Sequence, residues 1–457
     1  MTRVAACGFA LTQTTVISDS RKTYLYFEKR RKNEKDSYCL SMQHKTLKST
    51  RIKMNPAKKE NIAKRIWNAS RNSSDISTLN EETQVEYQNI LSSLEQEWED
   101  KLSRYEVVKK LNTLLEVGLS GNAGDVEEAL SKEDQKYQNY NIKQTVYLPV
   151  KGMQFFDEQR EKSLEIGKVV FLAITSNRLA EIFDKKKTII ESTRHSEIEK
   201  VQLIEASRKY LTDNFAGKAC SLCEIVAEPR KAEEIAVIET SKALEVLRYA
   251  IPAFPSLHIG KLKVELGISG DTRGGKRIAL LMSSSGSRSN WERSTTDFEI
   301  TSKTKEELRR VGVFELSSIL LKSDAKRTPF EKTILRFLHW ISESHIQTDL
   351  ENQLLLLVIA LETLLGSGKQ AIDFGAAMIL EETKSHRKEL KEKIGRICDI
   401  RNDIVHGSKS INIGEMDVLV LREVTMRLMI KVLDLSKNNQ FNTSQDLKNF
   451  VEEKQLS

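Results

Sequence analysis

Residues 401–407, Arg-Asn-Asp-Ile-Val-His-Gly, contain two side chains suited to phosphodiester chemistry without a metal ion. The ordinary pKa of histidine lies close to neutral pH, so the imidazole of His406 could take the proton from a ribose 2′-hydroxyl. Arginine stays charged and presents a planar fork of donors that fits a phosphate. Arg401 and His406 could therefore serve as base and charge stabiliser in metal-independent RNA cleavage.

The spacing of this pair is by itself a weak indication of a site. Residues five apart on a helix point roughly 140° away from each other, so the pair converges only because arginine is long and Gly407 frees the chain at the helix end. An Arg-x4-His spacing is common by chance, and a histidine at a helix end is often a cap. Asn402 and His406 share one face, and Asn402 could hold the imidazole or a phosphate oxygen.

A second ionisable residue, Glu362, lies inside the helix predicted over Leu350–Leu365, which is apolar on nearly every side. A carboxylate in such a helix must be paired, because an unpaired buried charge is strongly destabilising. The candidate partners are Arg396, Arg401 and His406. Arg401 is the preferred partner because its fork can bind the carboxylate at two places. A purely structural salt bridge is the alternative interpretation.

The elements that position these residues are predicted to be helices. Glycines separate or end them at Gly366, Gly368 and Gly407. The predicted helices cover Phe330–Ser344, Leu350–Leu365, Ala371–Glu382, Arg387–His406 and Gly414–Leu435. They form an all-α C-terminal bundle.

Two stretches of this bundle, Ala360–Leu365 and Ile394–Gly407, resemble the signature of Apea-like HEPN domains. Upstream, Val226–Ala232 leading into Ala243–Arg248 resembles the helix of the domain that usually precedes them. The resemblance covers roughly residues 145–435 and is specific mainly at the two C-terminal motifs.

The resemblance implies a four- to five-helix bundle that dimerises and brings two Arg-x4-6-His motifs together in one cleft. Many HEPN proteins are endoribonucleases, often prokaryotic toxins or antiviral defence effectors. Their catalytic arginine and histidine correspond to Arg401 and His406, and the polar residue that follows the arginine corresponds to Asn402. Cys398 stands where relatives often carry tyrosine. Some HEPN domains have lost catalysis and act in dimerisation or nucleotide sensing.

The whole chain is predicted to be an α+β multidomain protein. Residues 1–60 are interpreted as a basic, poorly ordered segment, and residues 61–143 as a helical region ending in a polar linker over Gly118–Asn141. Residues 144–325 contain short strand-like runs and two helices, which predicts a mixed, mostly antiparallel domain with strands and helices. The HEPN-like bundle occupies 326–436, and a polar tail with at most one weak helix occupies 437–457.

The net charge of +7 is placed unevenly. Residues 1–65 hold 16 Lys and Arg against 5 Asp and Glu, an excess of 11 positive charges, so the rest of the chain carries a net −4. Lys29, Arg30, Arg31 and Lys32 beside aromatic residues could bind nucleic acid, although a solvated tail explains the cluster as well.

Other motifs favour structural roles. The five cysteines form no disulfide framework, which fits a reducing, cytoplasmic setting. Cys220 and Cys223 are predicted to be buried, and residues 270–277 to be a hairpin loop rather than a phosphate-binding loop. His339, His345 and His386 are predicted on solvated helix faces. No run is long and apolar enough to predict a membrane span.

Two functions remain open from the sequence. The first is a homodimeric, metal-independent endoribonuclease that needs no cofactor and takes RNA as substrate. Its upstream domains sense a trigger or regulate the site. The second is a non-catalytic HEPN module that acts as a scaffold or sensor, in which Arg401 only neutralises Glu362.

Overall fold

The computed structural model describes residues 54–71, 81–98, 102–138, 142–156, 162–254, 264–267, 276–283, 286–293, 298–407, 413–439 and 441–456. The basic cluster Lys29–Lys32 and most of the glycine-rich segment 268–277 lie outside these ranges. The predictions for nucleic-acid binding and for a hairpin loop at those positions therefore stay predictions.

The N-terminal region contains four described helices, α1 (Pro56–Arg71), α2 (Glu81–Trp98), α3 (Arg104–Ser120) and α4 (Ala123–Gln138). Apolar side chains from all four pack into one core, including Ile66, Leu94, Leu111 and Leu130. The helical prediction for this region is confirmed.

Two predicted boundaries in this region are wrong. Helix α1 begins at Pro56 and Met54 is buried, so order starts before residue 61. The predicted linker contains helix α4. The amides of Gly124 and Asp125 in its first turn donate hydrogen bonds to the side-chain oxygen of Asn122. Val126 and Leu130 of this helix are buried. The polar composition concealed this helix because its apolar stripe is narrow, with buried residues at i and i+4.

The central region contains both strands and helices. Its strands are β1 (Lys143–Lys151), β2 (Met153–Phe155), β3 (Ser163–Ile166), β4 (Val169–Ala173), β5 (Ala219–Val226), β6 (Glu265–Leu266), β7 (Lys276–Ser283), β8 (Gly286–Arg293) and β9 (Phe298–Ile300). Its helices are α5 (Ser176–Glu191), α6 (Glu197–Phe215), α7 (Pro229–Ala250), α8 (Ser302–Arg310) and α9 (Val313–Leu321).

The main sheet is antiparallel, with the strand order β3-β4-β5-β1-β6. Two smaller pairs accompany it: β2 pairs with β9 in parallel, and β7 pairs with β8 as a hairpin. The mostly antiparallel arrangement predicted from the sequence is confirmed. The strand-like runs of the sequence correspond to β1, β4, β5, β6, β7 and β9. Strands β2, β3 and β8 have no such run, because β2 and β3 are only three and four residues long and β8 is largely polar.

Helix α7 connects this sheet to the C-terminal bundle. The carboxylate of Glu228 accepts hydrogen bonds from the amides of Arg230 and Lys231, and Pro229 occupies the first turn. The helix contacts β1 and β5 of the sheet and also the first helix of the bundle. Its apolar side chains belong to the same core cluster as those of the bundle.

The C-terminal bundle consists of α10 (Pro329–Ile346), α11 (Leu350–Leu365), α12 (Lys369–Leu380), α13 (Lys384–His406), α14 (Glu415–Asn439) and α15 (Ser444–Leu456). The five helices predicted here are observed with ends that differ by no more than four residues. Helix α11 lies at the centre, in contact with all five of the others. The chain is thus α+β and mostly helical, with a small antiparallel sheet.

Residues 437–457 are interpreted from the sequence as a polar tail with at most one weak helix; one helix, α15, is observed there, and it contributes to the core, which the polar composition did not predict. Leu447 is buried and Val451 nearly so, and both belong to the main core cluster. Phe441, just before the helix, packs edge-on against Phe330 of α10. Because Leu447 and Val451 are four residues apart, they form a short apolar stripe within an otherwise polar segment.

Within the described part of the chain, no single helix is both long and apolar enough to cross a bilayer. Helices α11 and α12 meet the length and composition criteria only as a pair, and a bend of 74° separates them.

Candidate functional site

Helix α13 carries the predicted site at its C-terminal end. The helix begins at Thr383, whose hydroxyl accepts a hydrogen bond from the amide of His386, and it stops at Gly407. Gly407 adopts a φ of +71°, a left-handed conformation that strains any residue with a β-carbon. His406 is therefore the last helical residue, and the glycine fixes where it stands.

Glu362 is paired as predicted. Its side chain is 13% exposed and lies on α11 beside the buried Leu361. The guanidinium Nη2 of Arg401 donates to Oε1 of Glu362 over 3.0 Å. The pair joins the central helix of the bundle to α13 and holds the guanidinium where α13 meets α11.

Asn402, for which the sequence left two roles open (holding the imidazole of His406 or a phosphate oxygen), contacts Arg401. Its side-chain oxygen accepts a hydrogen bond from Nη1 of Arg401 over 3.0 Å. No hydrogen bond joins Asn402 to His406 among the described residues, so the first role is not supported, and the second stays a prediction. Arg401 is thus held by two acceptors, a carboxylate and an amide, and both terminal nitrogens of its fork are engaged.

Arg396, the other arginine considered for Glu362, has its own partner. Its Nη2 atom lies 2.7 Å from the carboxylate of Asp417, at the beginning of α14. This pair ties α13 to α14 near the site, so Arg396 contributes to the position of the helix and leaves Glu362 to Arg401.

His406 is exposed, whereas the side chain of Arg401 is 26% exposed. Within the part of the chain that the structure describes, no hydrogen bond joins the imidazole to Arg401 or Asn402. Ile400 and Ile404 pack against the main core and fix the last turns of α13. Both chemical groups therefore reach solvent near the end of α13, without a hydrogen bond between them in the described chain.

A cavity of about 660 Å³ lies elsewhere, between the end of α11, the start of α12 and α15. Gly366, Gly368, Lys369 and Lys448 are among the residues that line it. Arg401, Asn402 and His406 do not. The candidate site is therefore separate from this cavity.

The cysteines occupy interior positions. Cys220 and Cys223 are buried on β5, as predicted, and burial raises the pKa of the Cys220 thiol to about 12. Cys398, one turn before Arg401, is also buried, and burial raises the pKa of its thiol to about 11. These thiols stay protonated at neutral pH and are poor nucleophiles. No group of three or more His, Cys, Asp or Glu side chains in the described ranges could hold a metal ion.

The prediction for the three isolated histidines is wrong for one of them. His386 is exposed, and His339 is half-buried with its Nδ1 atom 2.8 Å from Glu245. The Nε2 atom of His345, in contrast, is buried. Its helix, α10, is in contact with α7 and α14. Burial by these two helices could not be predicted from the sequence of α10 alone.

Comparison of the chain with protein-family models, with curated proteins and with solved structures finds no match.

Proposed function

We propose that this chain is a homodimeric, metal-independent endoribonuclease of the HEPN type. The observation that carries the proposal is the fixed guanidinium of Arg401, held by Glu362 and Asn402 five residues before the exposed His406 at a helix end. Preorganised charge is effective in catalysis because it needs no rearrangement when the transition state forms.

His406 acts as the base in the proposed reaction. Its imidazole takes the proton of a ribose 2′-hydroxyl, and the 2′-oxygen attacks the adjacent phosphorus. The bond from phosphorus to the 5′-oxygen of the next nucleotide breaks, and that oxygen receives a proton from a protonated imidazole. Arg401 stabilises the charge that develops on the phosphorane oxygens, since its fork has donors beyond the two already engaged. The products are a 2′,3′-cyclic phosphate and a 5′-hydroxyl.

A second copy of the chain completes the proposed site. Met416 is 68% exposed and Leu419 is 37% exposed, and they share one face of α14. The pair lies in the first turns of α14, where Asp417 accepts a hydrogen bond from Arg396 of α13, the helix that carries His406. Burial of the pair against a second copy would place two sites side by side, which is how Arg401 and His406 could act together on one phosphate.

The upstream regions serve a regulatory role in this proposal. Helix α7 of the central region packs on α10 of the bundle, so a trigger bound upstream can reach the site through shared core contacts. We further propose that the chain acts in the cytoplasm as a defence or toxin effector. The basic segment Lys29–Lys32 is proposed to contact RNA.

The reaction type can be tested with purified full-length protein and a labelled single-stranded RNA in the presence of EDTA. The proposal predicts cleavage that EDTA does not inhibit, with products that end in a 2′,3′-cyclic phosphate and a 5′-hydroxyl. A deoxyribonucleotide substrate should resist cleavage because it has no 2′-hydroxyl. Cleavage that requires a divalent metal ion, or that also occurs with the deoxyribonucleotide, would contradict the mechanism.

A second candidate is a non-catalytic dimerisation or sensing module, favoured by the engagement of both terminal nitrogens of Arg401 within the chain. In that case Arg401 serves only to neutralise Glu362. The two candidates differ in a simple observation. A non-catalytic module dimerises through the same surface but cleaves no RNA, whether or not His406 is present.

A further inference from the structure

The cavity of about 660 Å³ at the junction of α11, α12 and α15 has no part in the proposed RNA cleavage. Its volume lies in the range of pockets that hold small organic ligands. The end of α11, the glycine-containing loop 366–368, the first turns of α12 and one side of α15 border it. The bundle therefore contains a space large enough for a ligand, apart from the Arg401 site.

Part of the cavity lining is apolar. It is formed by side chains of α11, α12 and α15, namely Leu364, Leu365, Phe374, Leu447 and Val451. Both leucines of α11 are buried, whereas Phe374 is only half-buried and keeps accessible surface. Such a lining favours the apolar or aromatic part of a ligand, because binding there removes apolar surface from water.

Positive charge enters the same cavity from α15. Lys448 is exposed, and its Nζ atom lies 3.7 Å from the place where a β-carbon on Gly366 would stand. Gly366 has no side chain, so the ammonium group lies close to the backbone of the loop. Among the described residues, Lys448 forms no ion pair within the chain. The ammonium is therefore available to an anion from outside.

The start of α12 lies beside this ammonium. The point 3.7 Å from Nζ of Lys448 is also 3.9 Å from the β-carbon of Ala371, in the first turn of the helix. The residue before the helix is Gly368, and no side chain caps the helix there. The first amides of a helix have no acceptor within it and carry partial positive charge. One anion at this point would meet both the ammonium and the helix start.

We propose that this cavity binds an organic phosphate, that is, a phosphate monoester that carries an aromatic or apolar group. The phosphate accepts from Lys448 and from the first amides of α12, and the organic part lies against the apolar lining. A phosphate suits this place better than a carboxylate, because its three terminal oxygens can accept from several donors at once. Ser367, Gln370 and the carboxylate of Glu452 also line the cavity and can pair with hydroxyl groups of the ligand.

The cavity is connected to both helices of the candidate site. Lys369, which lines it, donates from Nζ to the two carboxylate oxygens of Asp399 over 2.8 and 2.6 Å. Asp399 lies on α13, two residues before Arg401. The amide of Gly366 donates to the carbonyl oxygen of Glu362 over 3.0 Å at the end of α11. An anion beside Lys369 would compete with Asp399 for its ammonium, so the ligand would act on α13 close to Arg401.

The test is titration of the full-length protein with adenosine 5′-monophosphate (AMP) by isothermal titration calorimetry, at pH 7 in EDTA. AMP combines a phosphate monoester with an aromatic base and contains no phosphodiester bond that could be cleaved. We expect saturable binding of one AMP per chain. Adenosine, which lacks the phosphate, should bind at least about tenfold more weakly, as expected for loss of charged hydrogen bonds.

Two variants locate the binding. Lys448→Gln should weaken AMP binding by about tenfold. Its matched control is Lys454→Gln, since Lys454 lies on the same helix but outside the cavity lining and pairs with Glu382. Ala371→Leu should also weaken binding, because it fills the cavity without changing charge and places a good helix former in α12. His406→Ala should bind AMP as the wild type does, because His406 does not line the cavity.

A parallel titration with phenyl phosphate defines the organic part: binding of phenyl phosphate without AMP supports the site and assigns it to smaller aromatic phosphates. Absence of saturable binding of both compounds would overturn the proposal. So would equal AMP binding by the wild type, Lys448→Gln and Ala371→Leu, or adenosine binding as tight as that of AMP. Loss of AMP binding in His406→Ala alone would place the nucleotide at the cleavage site and contradict the cavity. None of these results depends on RNA cleavage.

Discussion

Arg401 is the residue on which the candidate site is built, because two side-chain hydrogen bonds fix its guanidinium. Its fork reaches from α13 to Glu362 on α11 and to its own neighbour Asn402. A guanidinium fixed in this way is a ready phosphate ligand, but it also neutralises a carboxylate inside an apolar helix. The structural and chemical roles of Arg401 therefore share the same contacts, and a single substitution affects both.

Replacement of Glu362 and Arg401 by glutamine, singly and together, measures how much their ion pair contributes to the free energy of unfolding. We expect Arg401→Gln to lower the free energy of unfolding by about 1–3 kcal/mol, because the mostly buried carboxylate of Glu362 loses its partner. The double variant Glu362→Gln/Arg401→Gln should be more stable than the sum of the two single effects predicts. Urea denaturation of all four proteins provides the comparison. Strictly additive effects would show that the pair contributes no coupling energy.

His345 makes the stability of the protein depend on pH. Its pKa in the folded chain is well below 6.5, whereas in the unfolded chain it is close to 6.5, so the unfolded state binds more protons in acid. The contribution of the neutral imidazole is fully present above about pH 6.5 and is lost as the pH falls below it. The loss is about 1.4 kcal/mol for each pH unit.

The variant His345→Gln should lose less stability than the wild type between about pH 6.5 and pH 5. Unfolding by urea in chloride salts, without phosphate, gives the two profiles. His386→Gln is the control because His386 is exposed on another helix of the same bundle. Parallel profiles for the wild type and His345→Gln would contradict the assignment of the buried imidazole as neutral.

At the scale of elements, the bundle could be predicted well because its helices carry strong local signals. Helix α11 is apolar nearly throughout and is bounded by Asp349, whose carboxylate caps it, and by Gly366 with a φ of +105°. The partner of Glu362 could also be predicted, since the apolar helix requires a cation and Arg401 is the best fitted. The hydrogen bond between Arg401 and Asn402 could not be predicted, because helical spacing does not determine how the side chains of adjacent residues are oriented.

The contribution of α4 and α15 to the core was missed for one shared physical reason. Each buries only a narrow stripe, Val126 and Leu130 in α4 and Leu447 and Val451 in α15, and polar residues surround that stripe. Burial of His345 was missed because α7 and α14, which cover it, are distant in the sequence. Short-range patterns detect elements, whereas contacts between elements decide which polar groups become buried.

Helix α15 should therefore be essential to the stability of the bundle. We expect Leu447→Ala to lower the free energy of unfolding by about 2–5 kcal/mol, because it removes a buried side chain and leaves a cavity. Glu453→Ala, on the exposed side of the same helix, should have little effect. Thermal or urea denaturation checks both. Equal stability of the two variants would mean that α15 does not belong to the cooperative core.

At the scale of the whole molecule, the proposed activity requires a dimer. Met416 and Leu419 present an exposed apolar pair in the first turns of α14, the helix that Asp417 joins to Arg396 of α13. We expect Met416→Glu to shift the protein from dimer to monomer, because burial of a carboxylate at an apolar interface is unfavourable. Light scattering after gel filtration measures the mass. Val237→Glu on α7 is a control, since Val237 is also exposed but lies in the central region.

Loss of the dimer should also remove RNA cleavage, if two copies form one site. A monomeric Met416→Glu variant that cleaves RNA at the wild-type rate would contradict the shared site and leave a single-chain mechanism. A wild-type protein that is monomeric at micromolar concentration would contradict the proposed interface itself.

The central claim is that His406 takes the proton of the 2′-hydroxyl. Its most direct test is the single-turnover rate of RNA cleavage in EDTA by the wild type, by His406→Ala and by the control His386→Ala, which alters an exposed histidine at the other end of α13. Loss of a general base predicts a rate for His406→Ala that is lower by about 100-fold or more, with His386→Ala unchanged. Equal rates for all three folded proteins would contradict the assignment of His406 as the base.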